Sequence, residues 1–208
     1  MRAIASSASS ARKMPRSKPG IFWGVSASVL LVDAFTKIIA VDRLLPAYLP
    51  RPLWGDWARL TLVYNPGAAF GLHFGPQSRW IFIALTGVAL VVLGKLYLET
   101  PLFDRLRALA LALVTGGAVG NLLDRLKSAR GVVDFLDVGV GQWRWPTFNV
   151  ADIAVSVGAV LLAVVLWRED AATASATPEP LVTESAPRAQ VPAELSADVE
   201  HPSAGHAG

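Results

Sequence analysis

Four stretches of the chain, 21–41, 80–98, 106–123 and 150–167, are long and apolar enough to limit every fold it can adopt. The hydrocarbon core of a bilayer is about 30 Å thick, which a helix of about 20 residues spans. Helices packed on a soluble core show a polar face about every 3.6 residues. Residues 88–93 and 108–114 show none. Composition points the same way: 53% of residues are hydrophobic and 17% charged, where a soluble domain carries about a quarter charged. Mean hydropathy is +0.44, which also excludes a disordered chain. The expected fold class is therefore an all-α polytopic membrane protein of four transmembrane helices. A cleaved signal peptide is the rival for the first stretch, but that stretch holds Asp33 and Lys37 and no small-residue cleavage site follows it. It reads as a retained span.

The ends differ from the middle. Residues 1–20 carry Arg2, Arg12, Lys13, Arg16 and Lys18 and no acid, and residues 169–208 are acidic and rich in Ala, Pro and Ser. Both read as disordered arms flanking a membrane domain at 21–168. Bases before the first span place the N-terminus in the cytoplasm. Bases elsewhere are near parity, so the leader decides the orientation, and four spans then put both termini inside. Residues 42–79 and 124–149 face outward. Trp23 and Trp167 fall at one expected interface, and Trp80, Trp143 and Trp145 near the other, as in an aromatic belt. The outer segments have strand signals of their own. Arg59 to Tyr64 is β-prone before the turn residues Asn65, Pro66 and Gly67, and residues 131–140 mix Val, Phe and Asp before a Gly-Gln turn. A small extracytoplasmic β-rich cradle is expected there.

Several chemistries are excluded early. The chain has no cysteine, hence no disulfide, zinc–thiolate site, iron–sulfur cluster or cysteine nucleophile. Its histidines are His73, His201 and His206, two of them in the acidic arm. No metal or other cofactor is expected, and no nucleic-acid motif accompanies the formal charge of +3.

Ionisable residues inside a span are costly and mark function by default. Asp33 and Lys37 stand four apart and share a helical face. Asn121 and Asp124, three apart, share another. Asp134 follows the third span, and Asn149 and Asp152 open the fourth. Three carboxylates and two asparagines can thus converge at the outer surface. Two close carboxylates do not both ionise cheaply, so one keeps a proton. Such a pair can deprotonate water and protonate a leaving amine, chemistry that needs no His, Cys or metal. A proton relay or cation site uses the same residue types. Glycines 116, 117 and 120 suit close helix approach.

The motifs Asp33-x-x-x-Lys37, Asn65-x-Gly67-Ala68-Ala69-Phe70, Gly116-Gly117-Ala118-x-Gly120-Asn121-x-x-Asp124-Arg125, Val132-Val133-Asp134-Phe135 and Phe148-Asn149-x-Ala151-Asp152 occur in this order. Together they closely resemble the bacterial lipoprotein signal peptidase (signal peptidase II) family over residues 21–168. The resemblance implies a globomycin-sensitive membrane aspartic endopeptidase. It would cleave prolipoprotein signal peptides just before a diacylglyceryl-cysteine. It places the catalytic pair on Asp134 and Asp152. Asn65, Gly67, Asn121, Asp124, Arg125, Asn149 and Ala151 would bind substrate or support the pair, and Asp33 and Lys37 would be a first-span polar pair, structural or supporting rather than catalytic. A monomer among membrane lipids is expected. Departures are Ala34, where the family often has Gln, Pro66 inside the second motif, and a slightly long link from Arg125 to Asp134. That link leaves Asp124 as a competitor of Asp134 for pairing with Asp152, Asp134 being favoured.

The rivals are a small transporter or proton-conducting protein using Asp33, Lys37 and Asp152, and a serine protease using Ser26 or Ser28 with Lys37. Four spans without an inverted repeat disfavour the first. The second suffers because its serines lie in the inner half of the first span.

Overall fold

The structure is a computed structural model that describes residues 18–67 and 74–175. Four helices carry it: α1 (Lys18–Arg43), α2 (Ser78–Glu99), α3 (Arg105–Lys127) and α4 (Val150–Ser175). All four are long and apolar enough to cross a membrane. Their apolar side chains point outward, Leu31 being 69% exposed, Val88 64% and Val160 65%. A soluble bundle would bury such residues; these faces suit hydrocarbon. Trp23 and Trp167 are exposed, as are Trp80, Trp143 and Trp145.

The helix α3 is the hub, with α1, α2 and α4 packed around it. Its buried face is made of small residues, Ala108, Ala112, Gly116, Gly117 and Gly120 among them. In lipid the hydrophobic effect does not drive helices together, so close backbone packing and interhelical hydrogen bonds must. A Cβ on Gly117 would lie 2.4 Å from the Ala151 carbonyl oxygen of α4, and one on Gly116 would lie 2.9 Å from the Ser26 carbonyl oxygen of α1. Gly158 of α4 gives the same closeness toward Ala110. Ser26 donates to the Ala112 carbonyl (3.0 Å), and Ser28 to Gly24 within its own helix. Neither serine bonds Lys37, so neither Ser26 nor Ser28 forms a serine–lysine pair with it.

Between the helices at one end lies a four-stranded antiparallel sheet in the order β1 (Arg51–Trp54), β2 (Ala58–Asn65), β3 (Val132–Val140) and β4 (Trp143–Arg144). It is the expected cradle. Leu62 and Phe135 on its inner face pack on Ala40 of α1 and on Leu44 just beyond that helix. Arg144 staples the sheet, donating from Nε to Asp137 (2.8 Å), and Thr61 donates to the other Asp137 oxygen (3.0 Å). An isolated bridge between Leu136 and Phe148 ties the chain just before α4 to β3.

The helices overrun the spans expected from hydropathy. α1 starts at Lys18, inside the expected N-terminal arm, because the Lys18 ammonium is buried against α2. It donates to the Thr100 carbonyl (2.6 Å) and lies over the Tyr97 ring, as a cation suits a helix C-terminus. α4 continues to Ser175, inside the expected acidic arm, and Glu169 pairs with Arg107 (2.9 Å). α3 runs one turn further than expected, to Lys127, so Asp124 and Arg125 are helical. Residues 1–17 and 176–208, with the rest of both arms and with His201 and His206, lie outside the described residues. So do Ala68, Ala69, Phe70 and His73.

The closeness of α3 and α4 has a measurable consequence. Gly117→Ala forces the two backbones apart and is expected to lower stability by about 1–3 kcal/mol. Gly94→Ala on α2, where an added Cβ meets nothing within 4 Å, is expected to be neutral or stabilising by about 0.5–1 kcal/mol. Thermal unfolding in detergent compares the two.

Candidate active site

Each polar side chain is placed by the element beneath it. Asn149 is the residue before α4 and Asp152 its third residue. The Asn149 side chain accepts from the Asp152 N–H (3.0 Å), and the Asp152 Oδ2 accepts from the Asn149 N–H (3.0 Å). This is a reciprocal capping box, which satisfies donors that a helix start leaves open. Asp33 adds a third bond there, its Oδ1 accepting from the Ala151 N–H (2.9 Å). Ala151 is fully buried against Gly117 and Gly120; the motif needs a small residue there.

Asp134 comes from β3. In the sheet register Val63 faces Asp134 and Asn65 faces Val132, so Asn65 and Asp134 are diagonal neighbours on one face. Asn65 Nδ2 donates to Asp134 Oδ2 (3.0 Å). The bridge at Phe148 carries Asn149 alongside, and Asn149 Nδ2 donates to Asp134 Oδ1 (2.7 Å). One residue, Asn149, therefore holds both Asp134 and Asp152. Asn121 Nδ2 donates to the remaining Asp152 oxygen (2.8 Å).

Behind these lies Lys37. Its ammonium meets Asp33 Oδ2 and Asp124 Oδ2, each at 2.8 Å, and donates to Asn121 Oδ1 (2.9 Å). The ion cluster thereby fixes the Asn121 amide with its NH2 toward Asp152. Asp124 also accepts from the Val133 N–H (3.3 Å). Of the two aspartates that compete for Asp152, Asp124 is bound to Lys37, and Asp134 shares a cavity with Asp152.

That cavity measures about 510 Å³. Asn65, Asn121, Arg125, Asp134 and Asp152 line its polar end. Ile153, Val155, Ser156 and Val157 continue it along α4, and Trp145, Pro146 and Thr147 form another wall. Arg125 hydrogen-bonds the Gly67 carbonyl (2.9 Å) and lies in the field of Asp152 and Asp134. Gly67 in turn donates its N–H to the Asn65 side chain (3.0 Å), so Arg125 fastens the turn after β2 to α3. Arg79 at the start of α2 donates to the Arg125 carbonyl (2.6 Å).

Burial first, and then the nearby charge of Asp152, raise the pKa of Asp134 to about 7, against the lowering by its bonds from Asn65 and Asn149 and by the Lys37 charge. Asp134 thus keeps its proton at a pH where an ordinary carboxyl has lost it. An unfolded chain releases that proton near 3.8. The folded protein binds more protons between that value and about 7, so this group's contribution to stability declines as pH rises across that window.

The structure links Asp33, Lys37, Asn65, Gly67, Asn121, Asp124, Arg125, Asp134, Asn149, Ala151 and Asp152 in one contact network, and Ser26 and Ser28 do not bond to Lys37. Sequence reasoning missed the α4 strip from Ile153 to Val157 and the wall at 145–147, which are uncharged and outside any motif. It also missed Arg79 and Arg144, whose only signal was their charge.

Fold and site define a multi-pass membrane enzyme with a polar centre where helices meet a small sheet. The chain matches the family described as Signal peptidase (SPase) II over residues 25–168. The lipoprotein signal peptidase of Burkholderia mallei is 45% identical over 141 residues, 67% of this chain and 82% of the relative. The lipoprotein signal peptidase of Paraburkholderia phymatum matches to the same extent. Two bacterial membrane enzymes determined by the in meso method share the fold. One has a TM-score of 0.66 at 24% identity, covering 77% of this chain and 93% of its own. The other has 0.62 at 26% identity, covering 71% and 92%. The chain belongs to the signal peptidase II family, and it is a signal-peptide-removing protease of bacterial membranes. A transporter is not favoured.

The protonated carboxyl has its own signature. Infrared spectra are expected to show a carboxylic-acid band that fades as pH rises through about 7. Asp134→Asn removes it. A band unchanged in that variant would assign the proton elsewhere.

Proposed function

We propose that this chain is an aspartic lipoprotein signal peptidase. It cuts the signal peptide from diacylglyceryl-modified prolipoproteins just before the lipidated cysteine, as the family resemblance implies and in keeping with its relatives' name, lipoprotein signal peptidase. The observation that carries the aspartic assignment is the joint hold of Asn149 on Asp134 and Asp152 at the polar end of one cavity. The apolar continuation along α4 suits a signal helix lying beside it, with its scissile bond at the polar end.

The two aspartates sit in different environments, which separates their roles. Asp152 receives N–H bonds on both oxygens, from Asn121 and from the Asn149 backbone, which hold it in a fixed orientation and suit it to act as the base. Asp134 is buried and holds a proton to about pH 7, which suits an acid. Asp152 takes a proton from water as the water oxygen bonds to the carbonyl carbon. Asp134 gives its proton to the carbonyl oxygen. The tetrahedral diol then collapses. The C–N bond breaks, the leaving nitrogen takes the proton from Asp152, and a hydroxyl proton returns to Asp134. The products are a carboxyl at the end of the signal peptide and a free amine on the lipidated cysteine. Arg125 and the asparagine amides steady charge as it develops.

Asn65, Gly67, Asn121, Asp124, Arg125, Asn149 and Ala151 support the pair, and Asp33 with Lys37 anchors the support. The basic leader places both termini in the cytoplasm and the sheet-bearing end outside. There the substrate's lipid chains stay in the bilayer, and the enzyme acts as a monomer.

Asp134→Asn and Asp152→Asn are each expected to reduce cleavage of a lipidated prolipoprotein below detection, read as a gel shift with and without globomycin. Processing at the normal rate by either variant sinks the dyad. The rate is expected to fall as pH rises through about 7, as Asp134 loses its proton, an apparent value that belongs to the pair. A rate that stays flat across that range opposes the acid role of Asp134.

A further inference from the structure

Behind the candidate active site lies a second cavity of about 580 Å³. The two cavities share no lining residue. The Lys37–Asp124 pair faces the second cavity, and Asn121, bound to Lys37, faces the first. The ion cluster is thus the partition between them.

The second cavity has two unlike halves. Ala34, Ile38 and Val41 line it along α1, with Leu45 beyond them. They recur on one helical face, and Ile38 is 68% exposed, so this half belongs to the surface that meets hydrocarbon. At the sheet-bearing end the lining turns polar, with Asp42, Asp124 and Lys127. Asp124 and Lys127 are three apart on α3 and so are neighbours on one face.

These polar groups have capacity to spare. Both bonds of Asp124, from Lys37 and from the Val133 N–H, end on Oδ2. Its Oδ1 takes no hydrogen bond from a described residue. Lys127 is exposed and forms no ion pair with a described residue. Among the described residues Asp42 pairs only with its neighbour Arg43, and both side chains are largely exposed. The rim thus offers a cation, Lys127, that no described residue pairs, beside two carboxylate acceptors at the mouth of an apolar slot.

A purely anionic headgroup would meet Lys127 but also two like charges. A quaternary ammonium has no N–H to give to Asp124 Oδ1. A headgroup with a phosphate and a primary ammonium satisfies both sides of the rim. We propose that this cavity is a binding site for an aminophospholipid, with the phosphate on Lys127, the ammonium on Asp124 and Asp42, and an acyl chain along Ala34, Ile38 and Val41. The substrate's diacylglyceryl group carries no phosphate and no ammonium, so it has nothing to offer the polar rim.

The test uses the full chain, delipidated in detergent. It is offered an equimolar mixture of dioleoyl phosphatidylethanolamine and dioleoyl phosphatidylglycerol, and bound lipid is counted by native mass spectrometry. A charge-assisted hydrogen bond corresponds to about a tenfold preference, so phosphatidylethanolamine is expected to be retained about tenfold over phosphatidylglycerol. Lys127→Ala and Asp42→Ala should each bring the ratio toward parity, and Ile38→Trp should reduce retention of both lipids. These positions lie on the surface outside the candidate active site, and far-UV circular dichroism of the same samples checks the helices. Equal retention of the two lipids by the unaltered protein overturns the proposal. A preference that survives Lys127→Ala in a folded sample overturns it as well.

Discussion

The ammonium of Lys37, buried where α1 meets α3, is the interaction on which the site depends. An ion taken out of water costs several kcal/mol even after relaxation, and its attraction to partners repays this only when the geometry is good. Here one cation meets two carboxylates and an amide oxygen, all within 2.9 Å. Each partner then passes the constraint on. Asp33 caps α4 through Ala151, Asp124 holds the start of β3 through Val133, and Asn121 orients Asp152. Three helices and a strand are registered on one charge. Outside this cluster a lone Asp or Lys in a span would be expensive; inside it each is needed by the others.

That cluster closes only because the helices come very near one another. Gly116, Gly117 and Gly120 put no side chain of their own between α3 and its neighbours, and a Cβ on Gly120 would lie 2.7 Å from Asp33 Oδ2. The glycine run and the charged cluster are therefore one device. Small residues bring the backbones close, and the polar groups use the closeness. The helix α2 shares little of this, with few buried residues, and joins through Arg79 at one end and Lys18 at the other.

The sheet supplies what helices alone could not. A strand alternates its side chains, so β3 turns Asp134 toward one cavity while Val133 lines the other. The bridge from Leu136 to Phe148 then sets the distance between a strand residue and the first turn of α4. Asn149, fully buried, spans that junction and ties the two aspartates into one unit.

Much of this was legible in the chain. Four apolar stretches implied four membrane-length helices, because the thickness of a bilayer sets the length of what crosses it. The β-prone run at Arg59 to Tyr64 implied the cradle, and the in-span Asp33 and Lys37 implied polar partners for them on neighbouring elements. Helix ends were less legible. Lys18 and Glu169 join helices through partners at Thr100 and Arg107, far away in sequence. The choice between Asp124 and Asp134 was not settled by spacing either. Both are acids near the end of one span. What separates them is a strand register that sends Asp134 beside Asn65 and a helix contact that gives Asp124 to Lys37. The chain by itself determined which residues must avoid lipid, since that depends on local polarity. Which of them share a cavity was decided by tertiary packing, since that depends on distances between segments remote in sequence.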